Sequence, residues 1–157
     1  MNGSGTAGVV GRPIRLFPTA VLVGLVLDRL VPVPVPIPQV DVVAWIIAGG
    51  LILIGLSLFA AGVRNFSRAE TPLPTNQPAR ALVTQGIYRW TRNPIYLGFF
   101  LAYAGIGVAA RSPWMLIFSL PLVVTIRYGV VAREEAYLER RFGGAYRHYK
   151  TRVRRWL

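Results

Sequence analysis

Four apolar stretches mark the chain, each broken off by proline, glycine or arginine. The first runs from about Ile14 to Val31. Arg12 and Arg15 stand at its start, as in the basic region of a secretory signal. No small-residue cleavage pattern follows; Asp28-Arg29 and a proline run come next, so the stretch is expected to be an uncleaved anchor. The second, Val42 to Val63, is about 22 residues without a charge, enough at ~1.5 Å per residue for a ~30 Å hydrocarbon core. Gly49, Gly50, Gly55 and Gly62 along it would let another helix approach closely. The third starts after Pro94 and ends at Ala110, rather short for a full crossing. The fourth spans Trp114 to about Ala132. None shows the polar face that a helix of a soluble domain needs.

The connections carry equally clear signals. Residues 1–13, Gly-rich and polar at first, read as disordered. Val31 to Pro38 alternates Val or Ile with Pro, which lacks an N–H and pushes its predecessor out of the helical region, so a stiff extended loop is expected. Pro72, Pro74 and Pro78 keep the first half of the 64–94 segment non-helical. Arg111-Ser112-Pro113 makes a tight turn, with Ser112 as helix cap and Pro113 at the first helical position. The third and fourth segments should then pair as an antiparallel hairpin. Gly143-Gly144 breaks the helix that continues beyond residue 132, and a second short helix follows. The predicted fold is all-α and polytopic, with about four spanning helices and a cytoplasmic C-terminal helical segment. It is one membrane domain: two transmembrane helices over 14–63, a loop over 64–94, a hairpin over 95–132 and a tail over 133–157.

Composition agrees. Hydrophobic residues are 54% and charged ones 15%, and most of the charge sits in a few blocks. Lys and Arg number 18 against 6 Asp and Glu, a net charge of +12 that suits nucleic acid or an anionic membrane surface. The arginines flank membrane segments, which explains them without nucleic acid. Five lie in the 64–94 segment (Arg64, Arg68, Arg80, Arg89, Arg92), and eight Lys or Arg lie in the tail. The other connections have only Arg29 and Arg111. Four spans put both basic blocks and the N-terminus on one side, which the positive-inside bias makes the cytoplasm of a cell inner membrane. The chain has no cysteine and a single histidine, His148, which excludes thiolate sites and multi-histidine metal sites.

Two blocks carry candidate chemistry. The first runs Leu82-Val83-Thr84-Gln85-Gly86-Ile87-Tyr88-Arg89-Trp90-Thr91-Arg92-Asn93-Pro94-Ile95-Tyr96-Leu97-Gly98. Gly86 permits a bend, and Asn93-Pro94 ends one element and opens another. Its aromatics also suit a headgroup belt and its arginines anionic lipid. The second is Arg133-Glu134-Glu135 with Phe142-Gly143 and Tyr146 to Tyr149. Adjacent helical residues diverge by about 100°, so the two glutamates are not expected to share a face. One would point into a pocket while the other meets Arg140 or Arg141.

Taken together the two blocks, about 40 residues apart with a hairpin between, resemble the isoprenylcysteine carboxyl methyltransferase and phospholipid methyltransferase superfamily over roughly residues 72–157. The resemblance implies an integral membrane enzyme using S-adenosylmethionine in a cytoplasmic pocket. Leu82 and Val83 would offer backbone contacts to adenine, with Gly86 beside them. Tyr88, Arg92, Asn93, Pro94, Tyr96 and Leu97 would line the pocket, and Glu134 and Glu135 would match the family's paired glutamates. Many members carry His at the position of Asn93, so imidazole chemistry is excluded there. Where the animal phospholipid enzymes have Gly-x-Gly, this chain has only Gly62.

The implied donor carries a sulfonium, an ammonium, a carboxylate and a ribose diol. Glu134 or Glu135 would accept from the diol or face the ammonium. Arg92 would hold the carboxylate in a two-pronged contact. Tyr88 and Tyr96 would meet adenine or the sulfonium. Arg92, Arg133 and Glu135 are the candidates for the reacting centre; Arg133 would orient an anionic acceptor or pair with a glutamate. Arg127, near the end of the fourth segment, is a further candidate or a snorkelling side chain. The acceptor should be lipophilic and small or lipid-anchored, entering sideways through the hairpin. Two other readings stay open: a non-catalytic scaffold for anionic lipid, and a membrane reductase of sterol-reductase type with a nicotinamide cofactor.

Overall fold

The computed structural model describes residues 8–9, 13–34, 42–73 and 77–157. Six α-helices make up the described chain, with no strand among the described residues: α1 (Pro13–Leu30), α2 (Val42–Arg68), α3 (Pro94–Ala110), α4 (Pro113–Val124), α5 (Ala132–Phe142) and α6 (Gly144–Arg152). A 3₁₀ turn, Gly86–Arg89, precedes α3, and a π-helical segment, Thr125–Val131, joins α4 to α5 without a break. Residues 32–34 are non-helical, as expected of the proline run; the rest of that run and most of the N-terminal stretch expected to be disordered lie outside the described residues.

The tightest packing is between α2 and α3, and small residues cause it. The buried residues of α2 are Ala48, Gly55 and Gly62, seven apart. On α3 the matching pair is Gly98 and Gly105, also seven apart and buried. A Cβ on Gly98 would come within 2.5 Å of the Gly55 carbonyl oxygen, and one on Gly105 within 2.8 Å of that of Ala48. The backbones therefore touch, and dispersion over this seam holds two helices that water would not push together in lipid. Gly49 and Gly50 do not share the role, for a Cβ on either meets nothing within 4 Å. They lie about 100° and 200° round the helix from Ala48.

The hairpin expectation is met only at its turn. Arg111 adopts the left-handed conformation (φ 52°), Ser112 Oγ accepts from Met115 N at 3.0 Å, and Pro113 opens α4. The Tyr103 hydroxyl donates to the Met115 carbonyl at 2.8 Å. Beyond that, α3 packs mainly on α2, and α4 mainly on α1. The reason is the position of the small residues: Gly24 of α1 receives Met115, whose Cγ would lie 2.5 Å from a Cβ there. Phe17 of α1 stacks on Phe99 of α3 at 4.9 Å and meets Phe100 edge-on at 5.0 Å, closing the group.

Among the described residues, two helical stretches are long and apolar enough to cross a membrane, Val42–Arg68 and the continuous Pro113–Phe142. Helix α3 is apolar but has 17 residues, and α1 contains Arg15, Asp28 and Arg29. The outward faces are bare: Trp45, Ile46, Leu53, Ile54, Leu116 and Leu120 are all exposed. So much contiguous apolar surface suits lipid rather than water. Helix α2 continues past the expected boundary at Val63 and ends at Arg68, where Glu70 turns the chain in the left-handed region (φ 48°).

Gly98→Val is expected to cost more than the ~1–3 kcal/mol of ordinary overpacking, because backbone rather than side chain is in the way. Gly49→Val should change stability by only about 0.5 kcal/mol. Thermal unfolding in a mild detergent measures both; equal effects would contradict the seam.

Candidate active site

The site forms where the chain leaves the α2–α3 seam. Gly86 (φ 61°) bends the backbone under Asn65, whose Nδ2 donates to the Gln85 carbonyl at 2.8 Å. The 3₁₀ turn that follows buries Tyr88 against Phe66. Pro94 then starts α3, with Asn93 at its cap position. Residues 71–73 and 77–83 fold back over this end of the molecule. Thr71 Oγ1 accepts from Arg80 N at 2.8 Å, the Tyr137 hydroxyl accepts from Ala79 N at 2.9 Å, and Arg141 Nε donates to the Ala79 carbonyl at 2.6 Å.

A cavity lies between these pieces. Its apolar wall is Pro13, Ile14, Phe59, Phe66, Leu73, Ile95 and Phe99; its other wall is Leu82, Val83, Tyr88, Arg92, Asn93, Tyr96, Glu134, Glu135, Tyr146 and Tyr149. Ile14 is 66% exposed, so the apolar wall opens outward. No α4 residue lines the cavity, and the expected entrance through the α3–α4 hairpin is replaced by a wall from α1 and α2.

Both glutamates are buried and both line the cavity, contrary to the expectation of separate faces. Helix α5 is held between α3 and the C-terminal segment, so side chains 100° apart still border one space. The Tyr96 hydroxyl donates to Glu134 Oε1 at 2.7 Å. Glu135 meets neither Arg140 nor Arg141. Arg155 grips it from two sides, Nε to Oε1 at 3.1 Å and Nη2 to Oε2 at 2.6 Å. Arg92 Nη2 stands 3.3 Å from Oε1. Nε and Nη1 of Arg92 are buried with no hydrogen-bond partner among the described residues.

Residues 153–156 lie across the site as a strap. Arg92 N donates to the Arg154 carbonyl at 3.0 Å. Thr91 Oγ1 and Asn93 Nδ2 both donate to the Arg155 carbonyl, at 3.2 and 2.9 Å. The Tyr149 hydroxyl donates to the Tyr88 carbonyl at 2.7 Å. Burial raises the pKa of the Tyr88 hydroxyl, with Tyr149 and Glu134 adding to it. Burial likewise raises Tyr146 and Tyr149, against a lowering pull from Arg92. All three phenols are therefore neutral donors at physiological pH, not bases. The Glu135 contact raises the pKa of Arg155, which stays charged.

Of the candidate residues, Leu82, Val83, Tyr88, Arg92, Asn93, Tyr96, Glu134 and Glu135 come together here. Gly86, Pro94 and Leu97 shape the turn and the start of α3 without lining the cavity. Arg133 is exposed and donates to the Gly8 carbonyl at 2.9 Å. The Arg127 guanidinium lies over Tyr128 at 5.4 Å. Arg155 was not among the candidates, being 20 residues from Glu135 and surrounded by other arginines.

Fold and site together define an all-helical membrane protein with a mostly apolar cavity, bordered by a few buried charged groups, at the end of its helices. The family model described as phospholipid methyltransferase matches residues 43–145, more than half of the chain, and the chain belongs to this family. It is 28% identical to the rat protein-S-isoprenylcysteine O-methyltransferase over 123 residues, 74% of this chain and 42% of that protein. The Saccharomyces cerevisiae enzyme of the same name is 33% identical over 72 residues, 46% of this chain and 30% of its own. A lamin-B receptor from Drosophila melanogaster is 29% identical over 94 residues, 59% of this chain and 12% of its own. The chain thus spans less than half the length of these relatives. No solved structure matches it.

Tyr96→Phe strips the buried Glu134 of the hydrogen bond it receives from the Tyr96 hydroxyl and is expected to lower stability by about 1–3 kcal/mol. A detergent melt compared with Tyr128→Phe, an exposed ring, checks this.

Proposed function

We propose that the protein is a membrane methyltransferase that takes its methyl group from S-adenosylmethionine and passes it to a lipophilic acceptor. Arg92 carries the reading. A buried guanidinium whose Nε and Nη1 both lack a partner among the described residues is costly unless acceptors complete it. Either nitrogen can donate to a carboxylate such as that of the methyl donor. Glu134, bonded by Tyr96 alone, suits ribose hydroxyls or an ammonium. Leu82 and Val83 offer backbone groups at the apolar margin, where adenine belongs. The bound donor supplies a methyl on a sulfonium centre, displaced in line by the acceptor.

The chain's residues bind, align and exclude water. No nucleophilic side chain is required, so placement in a dry site is the main contribution. Arg92 and Glu135 line the cavity, and Arg133, exposed at the start of α5, would meet an acceptor's charge. The open apolar wall of Pro13, Ile14, Phe59 and Phe99 suits the hydrocarbon part of a lipid or lipidated acceptor, arriving sideways. In this reading four helices span the inner membrane, and the N-terminus, the 64–94 segment and the tail over 133–157 face the cytoplasm. Family membership favours neither the scaffold nor the reductase.

The folded protein in nanodiscs should bind S-adenosylmethionine, and Arg92→Ala should weaken binding roughly tenfold or more. Labelled methyl should appear in extracted membrane lipid. A folded protein that does not bind, or an Arg92→Ala variant that binds equally well, would remove the proposal.

A further inference from the structure

One carboxylate, Glu135, stands between two guanidinium groups, and the two hold it unequally. Arg155 makes the two-pronged contact at 3.1 and 2.6 Å; Arg92 makes one contact at 3.3 Å through Nη2 and leaves Nε and Nη1 without partners among the described residues. We propose that Arg155 is a positioning residue, which occupies Glu135 so that the Arg92 guanidinium is not neutralised by a close pair and stays open to an anionic group. This rests on the methyltransferase reading, and it assigns the tail a role in donor binding that acts through charge. Remove the Arg155 guanidinium and the strongest partner left for Glu135 is Arg92. The pair would close into a bidentate contact, consuming the N–H groups that an incoming carboxylate needs.

The backbone geometry makes the idea testable. Arg155 is carried on a strap held by Arg92 N, Thr91 Oγ1 and Asn93 Nδ2, all of which bond to main-chain carbonyls of Arg154 and Arg155. None of these bonds uses the Arg155 side chain. Its replacement therefore removes a charge while leaving the strap in place, and Arg155 keeps a fixed distance from Arg92 because residues 91–93 hold them both.

The full chain in nanodiscs is titrated with S-adenosylhomocysteine, which keeps the carboxylate of the donor, and its Kd is read by calorimetry. Arg155→Ala is expected to raise Kd roughly tenfold. Arg155→Lys should recover part of the loss. Arg155→Ala combined with Glu135→Gln should recover most of it, since a neutral side chain no longer competes for Arg92. Amide exchange at Arg92, whose N–H is bonded to the strap, should be unchanged in all variants. An unaltered Kd in Arg155→Ala, while the parent protein binds, overturns this role and leaves the methyltransferase reading intact. A double variant as weak as the single one, or exposure of the Arg92 amide in Arg155→Ala, makes the tail a structural clamp and overturns it too. A parent protein that does not bind at all defeats both readings.

Discussion

Everything at the polar end of the molecule hangs on the backbone contact between α2 and α3. Gly55 faces Gly98, and Ala48 faces Gly105, with no side chain between them. In lipid there is little hydrophobic push between helices, so close approach and dispersion must supply the association. The contact fixes the start of α3 to within the tolerance of packed atoms. Arg92, Asn93 and Tyr96 lie within two turns of Gly98 and inherit that position.

The second constraint is electrical. Two arginines and two glutamates meet in a buried region, and each would be expensive alone. Glu135 is shared between Arg92 and Arg155, whereas Glu134 has only a phenol. The balance is incomplete: Arg92 keeps Nε and Nη1 without partners among the described residues, Glu134 has the Tyr96 hydroxyl, and both residues line the cavity. In the proposed reading, a donor with charges of both signs completes them. The tyrosines add neutral donors and cover, and the strap ties residues 91–93 to the C-terminal segment.

Much of this was legible in the sequence. Apolar length marked α2 and the fourth helix, Ser112-Pro113 marked the turn before α4, and Gly143 marked the end of α5. Motif order pointed to the blocks that meet at the cavity. What sequence could not show depended on contacts far apart along the chain. Gly49 and Gly55 look alike until a partner helix selects one face. A 100° divergence separates Glu134 from Glu135 only if the cavity lies on one side of α5, and here it wraps around. Arg155 is one arginine among several until the strap sets it on Glu135. The π-helical segment, which changes the register between α4 and α5, has no residue signature of its own.

The bonds that close the site join residues 61, 62 and 64 positions apart: Tyr88 with Tyr149, Asn93 with Arg155, and Thr91 with Arg155. A ribosome adds roughly 5–20 residues each second. Residues 88–93 therefore wait on the order of seconds at the membrane surface before their partners exist. During that interval Arg92 remains hydrated, and the following helices must insert first. Closure of the pocket thus waits until α6 and the strap that follows it have been made.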